Sequence, residues 1–95
     1  MKLEKSLQST DQLIAERGER YGRFEDGAEI MQQLKNIAHT SQAWERMKPI
    51  QREGVDMILH KIGRVLNGDP FYDDNWKDIA GYAKLVADYL NGDSK

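Results

Sequence analysis

The 95-residue sequence predicts an all-α protein, a compact bundle of four main helices with a short helical turn near Ala43–Met47. Apolar residues recur at helical spacing in four segments, and no segment alternates with the period of two that a half-buried strand shows. The chain has no cysteine, so neither a disulfide nor a thiolate zinc site can supplement its small core. The length fits a single helical domain over residues 1–95.

The predicted helices span about 10–21, 26–39, 49–67 and 75–90. Ser9 and Gln12 have capping-box spacing at the start of the first helix, and Gly22 should end it. Asp26 is expected to cap the second helix. The two ends of the chain, 1–8 and 92–95, should be flexible.

The third and fourth predicted helices should form an antiparallel hairpin through a loop at 67–74. Pro49 suits the first position of a helix, and Asn67 followed by Gly68 indicates a left-handed helix end. Asn75, with an acidic residue three positions later, should cap the fourth helix.

The fourth predicted helix has two apolar stripes. The first stripe, which should face the core, consists of Trp76, Ile79, Ala80, Ala83, Val86, Ala87 and Leu90. The second consists of Tyr82, Leu85 and Tyr89. Because a helix that is apolar on two faces usually contacts two neighbours, the second stripe should meet another helix or another subunit. A homo-oligomer, most simply a dimer, is therefore expected.

Two glycines, Gly63 and Gly81, interrupt strong helical patterns. Each should cost about 1 kcal/mol relative to alanine in a helix interior. We therefore expect close backbone approach at both positions.

The charge balance excludes some classes of function. Charged residues make up 32% of the chain, but the net charge is only −2, so a general nucleic-acid coat protein is disfavoured. The sequence has neither a run long enough to span a membrane nor a signal peptide, and a reducing cytoplasm fits the lack of cysteine. An anionic ligand would need a local basic patch.

The first candidate patch surrounds the glycine turn after the first helix. Arg17, Arg20, Tyr21 and Arg23 place guanidinium forks, which bind phosphate bidentately, beside an aromatic ring that can stack on a base. The alternative is a solvated helix end whose cations interact with the helix dipole.

The second patch lies on the third predicted helix, where Lys61 and Arg64 share the face opposite the core stripe and His60 lies beside them. These two cations could grip a phosphate. The alternative is an exposed polar face on which Asp56 pairs with His60.

A third group is acidic and lies in and after the hairpin loop: Asp69, Asp73, Asp74 and Asp78. Clustered carboxylates can hold a divalent cation that bridges phosphates, whereas the alternative is helix capping. In the same loop, Phe71 and Tyr72 are candidates for stacking on a base.

Two motifs, RYGRFED and HKIGRVLNGDPFYDDNWKDIAGYAKLVADYL, resemble a family of small phage and prophage proteins of unknown function. That resemblance covers most of residues 14–90 and implies a viral origin and an all-helical fold.

A weaker resemblance is to the MazG-type all-α nucleotide pyrophosphohydrolases, which bind Mg²⁺ through paired acidic boxes. Here the penultimate helix has Val55-Asp56-Met57 in place of a glutamate box, and Asp74 and Asp78 have a different spacing from the second box. The departure favours binding over hydrolysis.

The sequence thus predicts a phage protein of the host cytoplasm that binds a nucleotide-like, phosphate-bearing ligand without turnover. Such binding could sequester a host defence signal. The expected ligand contacts are Arg20, Tyr21, Arg23, Lys61, Arg64, Tyr72, Asp74 and Asp78. No catalytic residue, metal ligand or cofactor is assigned. The alternatives are a MazG-like pyrophosphohydrolase, which would need Mg²⁺, and an inhibitor that binds a host protein.

Overall fold

The structure, a computed structural model, describes residues 2–93, with side chains described from residue 9 onward. Its helices are α1 (Lys2–Tyr21), α2 (Phe24–His39), α3 (Gln42–Arg46), α4 (Pro49–Asn67) and α5 (Asp73–Leu90). No strand occurs between residues 2 and 93. The predicted all-α class is confirmed, and α3 is the predicted short helical turn.

Helix α4 is the centre of the fold. It packs against α2 on one side and against α5 on the other, whereas α1 packs only lightly on α2 and α4. The α4–α5 pair is the predicted hairpin. The result is an elongated molecule of 50 × 29 × 26 Å.

Two helix starts differ from those predicted. Helix α1 begins at Lys2, so the capping box at Ser9 is wrong; no glycine or proline between Lys2 and Ser9 interrupts the helix. Helix α2 begins at Phe24, so Asp26 lies in its first turn and acts there through the helix dipole rather than as a cap. The start of α4 is as predicted, with Pro49 first and the Gln51 side chain accepting a hydrogen bond of 2.8 Å from the Lys48 amide.

The predicted flexibility of the chain ends is not tested. Residue 1 and residues 94–95 lie outside the described range. At the C-terminal end of α5 the predicted stop is confirmed, because Gly92 adopts a φ of 84°.

The start of α5 corrects a further prediction. The helix begins at Asp73, so Asn75 lies within its first turn instead of capping it. The reason is that Asp73 and Asp74 already provide the acidic residues that favour a helix start. Asn75 is only 1% exposed, and neither its side-chain nitrogen nor its oxygen has a hydrogen-bond partner among the described residues.

The predicted core stripe of α5 is only partly correct, because Ile79 and Val86 are half-buried but its other members are exposed. Tyr82, Val86 and Tyr89 are half-buried and line a shallow groove with α4. Trp76 and Leu90, from the predicted core stripe, are 54% and 60% exposed. Tyrosine rings bury more apolar area than alanines, so the aromatic side of α5 packs on α4.

The glycine prediction is confirmed at one position and wrong at the other. A Cβ atom at Gly63 would overlap the Met31 side chain, so α2 and α4 do cross closely there. At Gly81 nothing lies within 4 Å of an added Cβ. A second close crossing, which the sequence did not indicate, lies at Gly54, where α4 meets Val86 of α5.

Candidate functional site

The C-terminal ends of α1 and α4 are tied together by hydrogen bonds. The Asn67 side-chain Nδ2 donates to the carbonyl oxygens of Tyr21 at 2.7 Å and Arg23 at 2.9 Å. The Asp69 amide donates to the carbonyl oxygen of Arg20 at 2.7 Å. These bonds fix the position of the turn after α1.

Two glycines permit this close approach. Gly22 ends α1 with a φ of 76°, as predicted, in the left-handed region that favours glycine. Gly68 has a φ of −134°, so the predicted left-handed end of α4 is wrong. Glycine is required at 68 for a different reason, because a Cβ there would overlap the backbone of Arg20 and Tyr21.

Four predicted ligand contacts meet at this junction and form what we call the basic–aromatic cluster: Arg20, Tyr21, Arg64 and Tyr72. The Arg64 guanidinium lies over the Tyr21 ring at 4.2 Å from its centroid, and that of Arg20 lies over the Tyr72 ring at 4.5 Å. The two rings are 6.2 Å apart at an interplanar angle of 57°. Cation–π contacts of this kind hold the two guanidinium groups in place.

A cleft of about 590 Å³, here called the basic cleft, opens between α1, α2 and α4 beside this cluster. Its lining residues are Ile14, Arg17, Gly18, Tyr21, Gly22, Arg23, Phe24, Gly27, Met31, His60, Arg64 and Asn67. They combine apolar walls with basic side chains, and none of these residues carries a carboxylate. The cleft is therefore an electropositive site in a protein whose net charge is −2.

The arginines of the site differ in their ionic partners. Arg20 lies 3.8 Å from Asp69, and Arg23 pairs with Glu25 and Asp26. Within the described part of the chain, Arg17 and Arg64 have no carboxylate within ion-pair distance. Because exposed ion pairs are weak, the Arg23 pairs leave that side chain free to exchange partners.

His60 lies on the α4 side of the cleft. Burial lowers the pKa of His60 below its ordinary value, and the nearby charges of Lys35, Arg64 and Lys61 lower it further. Its ring is therefore neutral at pH 7 and offers one donor and one acceptor. The alternative interpretation, in which Asp56 pairs with His60, does not hold, because Asp56 instead contacts His39 at 2.7 Å between α2 and α4.

Three predicted ligand contacts lie outside the cleft. Lys61 was expected on the exposed face of its helix, but its side chain is only 12% exposed because α5 packs over it. It forms an ion pair of 3.0 Å with Asp78. Asp74 is exposed near the start of α5 and does not line the cleft.

The structure therefore places Tyr21, Arg23 and Arg64 in the cleft and Arg20 and Tyr72 at its edge. The ligand contacts predicted from the sequence did not include the apolar wall of the cleft, which is formed by Ile14, Phe24 and Met31. The positioning role of Asn67 was also missed. A polar residue directly before a glycine at a helix end was the only signal for that role.

Neither metal-binding geometry nor a membrane span is present in the described residues. No three His, Asp or Glu side chains among them are arranged to hold a metal ion. None of the described helices is long and apolar enough to cross a bilayer.

These features define a small all-α protein with a basic, aromatic-edged cleft where three helices meet. The chain belongs to the family described as Domain of unknown function (DUF6378), whose model matches residues 5–90. Comparisons with curated proteins and with solved structures gave no match.

Proposed function

We propose that the basic cleft binds a nucleotide-like, phosphate-bearing small molecule without converting it. The observation that carries this proposal is the presence of Arg17 and Arg64, both without an ion pair in the described residues, in one cleft with apolar walls. Guanidinium groups match phosphate oxygens in geometry and charge. A phosphate would supply the negative charge that the lining residues lack.

The size and the walls of the cleft fit a nucleotide. Small-molecule sites typically enclose about 300–1,000 Å³, and the volume here is about 590 Å³. Phe24, which is 87% exposed at the cleft wall, offers a free ring for a base. The arginine above Tyr21 already covers one face of that ring, so Tyr21 is better suited to positioning Arg64 than to stacking.

The position of the carboxylates supports binding over hydrolysis. Asp78 is engaged by Lys61, and Asp74 lies outside the cleft. Mg²⁺-dependent phosphate chemistry needs carboxylates beside the phosphates to hold the ion. The lining residues of the basic cleft provide none.

The biological setting is part of the proposal. The resemblance to phage proteins supports a viral protein that acts in the host cytoplasm. By keeping a nucleotide signal bound there, it would prevent that signal from activating a host defence. Retention needs affinity and stoichiometry but no turnover. A homo-oligomer would present one cleft per chain.

Calorimetric titration with mono-, tri- and cyclic nucleotides tests the proposal, with product analysis by chromatography. One charge-assisted bond is worth about 1.5–3 kcal/mol, so Arg64→Ala should weaken binding about 10- to 150-fold. Arg17→Ala should do the same. Arg46→Ala, which removes an exposed arginine of α3 outside the cleft, is the matched control and should leave affinity unchanged.

Two outcomes would overturn the proposal. Mg²⁺-dependent release of pyrophosphate from a triphosphate, abolished by Asp78→Asn, would establish the MazG-like alternative. No heat with any nucleotide would eliminate both and leave an inhibitor that binds a host protein.

A further inference from the structure

We propose that two copies of this chain pair through the exposed apolar side of α5. This surface, the α5 apolar face, consists of Trp76, Ala80, Ala83, Ala87 and Leu90. Their spacing along the helix is i, i+4, i+7, i+11 and i+14, which places all five on one side. Trp76 and Leu90, the large residues at its ends, are 54% and 60% exposed.

A single chain buries little of its apolar side-chain surface. Among the side chains described, none of the apolar ones is buried, and Asn75 is the one polar residue that is. A chain whose described apolar side chains all remain partly exposed can bury further apolar surface by oligomerisation. A second copy would supply the missing burial.

The surface area agrees with this conclusion. A folded monomer of 11.0 kDa is expected to expose about 5,600 Å². The chain exposes 7344 Å², which is about 1,700 Å² more. A standard interface buries about 800 Å² per partner. Helix α1, which packs only lightly, contributes part of this excess, and the whole excess is about twice the area that one partner buries in a standard interface.

The α5 apolar face is self-complementary in an antiparallel arrangement. If a two-fold axis passes beside Ala83, Trp76 meets Leu90 of the partner subunit, and the alanines between them let the two helices approach closely. On one edge of the face, Lys77 then lies near Asp88 of the partner subunit. In the single chain Lys77 pairs with Asp73 and Asp88 pairs with Lys84, so this edge carries charges of both signs and does not repel a second copy.

The other apolar stripe of α5 does not offer this surface. Tyr82 and Tyr89 are half-buried in the groove against α4. Leu85 is 49% exposed but is flanked by those rings rather than by a continuous apolar surface. The pairing surface is therefore the stripe that faces solvent in the single chain.

Sedimentation equilibrium at micromolar concentration tests the proposal. The wild-type chain should have twice the mass of the 11.0 kDa protomer. Ala83→Glu places two like charges beside the two-fold axis and should give a monomer. Leu85→Glu, a matched substitution on the other side of the same helix, should leave the dimer intact.

The Ala83→Glu variant could also disturb folding, so a milder substitution provides an independent test of the same surface. The chain has no cysteine, so Ala83→Cys introduces its one thiol, and the thiols of two paired chains should form a disulfide under mild oxidation. Leu85→Cys should not cross-link. A monomeric wild-type chain would overturn the proposal and leave the face to a different protein. A dimer that survives Ala83→Glu and cross-links only through Leu85→Cys would overturn the assignment of the face.

Discussion

At Gly68 the chain passes so close to α1 that an added Cβ would overlap the carbonyl oxygen of Arg20 and the Cα of Tyr21. This contact sets the distance between the ends of α1 and α4, and thereby the width of the basic cleft. At Gly81, by contrast, the space beside the backbone is open. The sequence predicts close approach at Gly81 and only a helix end at Gly68, whereas in the structure the backbones meet at Gly68 and not at Gly81.

Gly68→Ala should lower the free energy of unfolding by about 1–3 kcal/mol, because backbone atoms must shift to make room. Gly81→Ala should instead raise it by about 0.4–1 kcal/mol, because alanine restricts the unfolded chain and favours helix. Urea denaturation at a fixed protein concentration measures both. Equal effects of the two substitutions would contradict the close contact at Gly68.

His60 should make stability depend on pH. Because burial and then the charges of Lys35, Arg64 and Lys61 lower the pKa of His60 in the folded protein, the unfolded chain binds this proton more readily. The stability that the neutral His60 ring contributes is therefore fully present above the ordinary pKa of 6.5, and it is lost as the pH falls from that value through the lower pKa of the folded state.

We expect wild-type protein to lose more stability between pH 7.5 and pH 5 than His60→Gln, which lacks the titrating group. Thermal denaturation at a series of pH values provides the comparison. His39 and Asp56 are present in both proteins, so their contributions cancel. Parallel pH profiles would show that His60 does not titrate differently on folding.

The position of helix α1 against α2 and α4 depends on a few hydrogen bonds instead of a broad apolar contact. Asn67 provides two of them through one nitrogen, to Tyr21 and Arg23. The turn that carries Arg23 into the cleft is thus positioned by a side chain at the end of α4.

Asn67→Asp should be more harmful than Asn67→Ala. The alanine variant loses both hydrogen bonds, at a cost of about 1–3 kcal/mol, whereas aspartate also points carboxylate oxygens at two carbonyl oxygens. The denaturation midpoints of the wild-type, Asn67→Ala and Asn67→Asp proteins give the order of their stabilities. Asn91→Ala is the control and should change stability by less than about 0.5 kcal/mol, because among the described residues the Asn91 side chain bonds to the exposed Asp93.

The sequence predicted the positions of the helices along the chain better than it predicted which side of each helix is buried. Periodicity and Pro49 located α4 correctly, because both signals are local. The exposed side of α5 could not be predicted, since alanine and tyrosine stripes are both apolar and only the neighbouring helix decides which one it contacts. The same holds for Lys61, whose burial depends on α5 packing over it.

In the whole molecule, the sequence identified the basic residues of the candidate site but did not predict the cleft that they line. Arg20, Tyr21 and Arg64 were selected from local chemistry, and the fold brings them together. The apolar wall of Ile14 and Met31 arises from separate helices whose angle of approach no local pattern encodes. The protein's net charge of −2 therefore gives no indication that the basic cleft is positively charged.

Binding of a phosphate-bearing nucleotide in the basic cleft can be tested by mapping where the ligand contacts the protein. A titration with a nucleoside triphosphate, followed by amide chemical shifts in nuclear magnetic resonance spectra of labelled protein, locates the contact without a variant. If the nucleotide binds in the basic cleft, the largest shifts will fall in residues 17–27 and 60–68, with little change at the α5 apolar face. Shifts centred on α5, or no shifts at millimolar nucleotide, would contradict binding in this cleft.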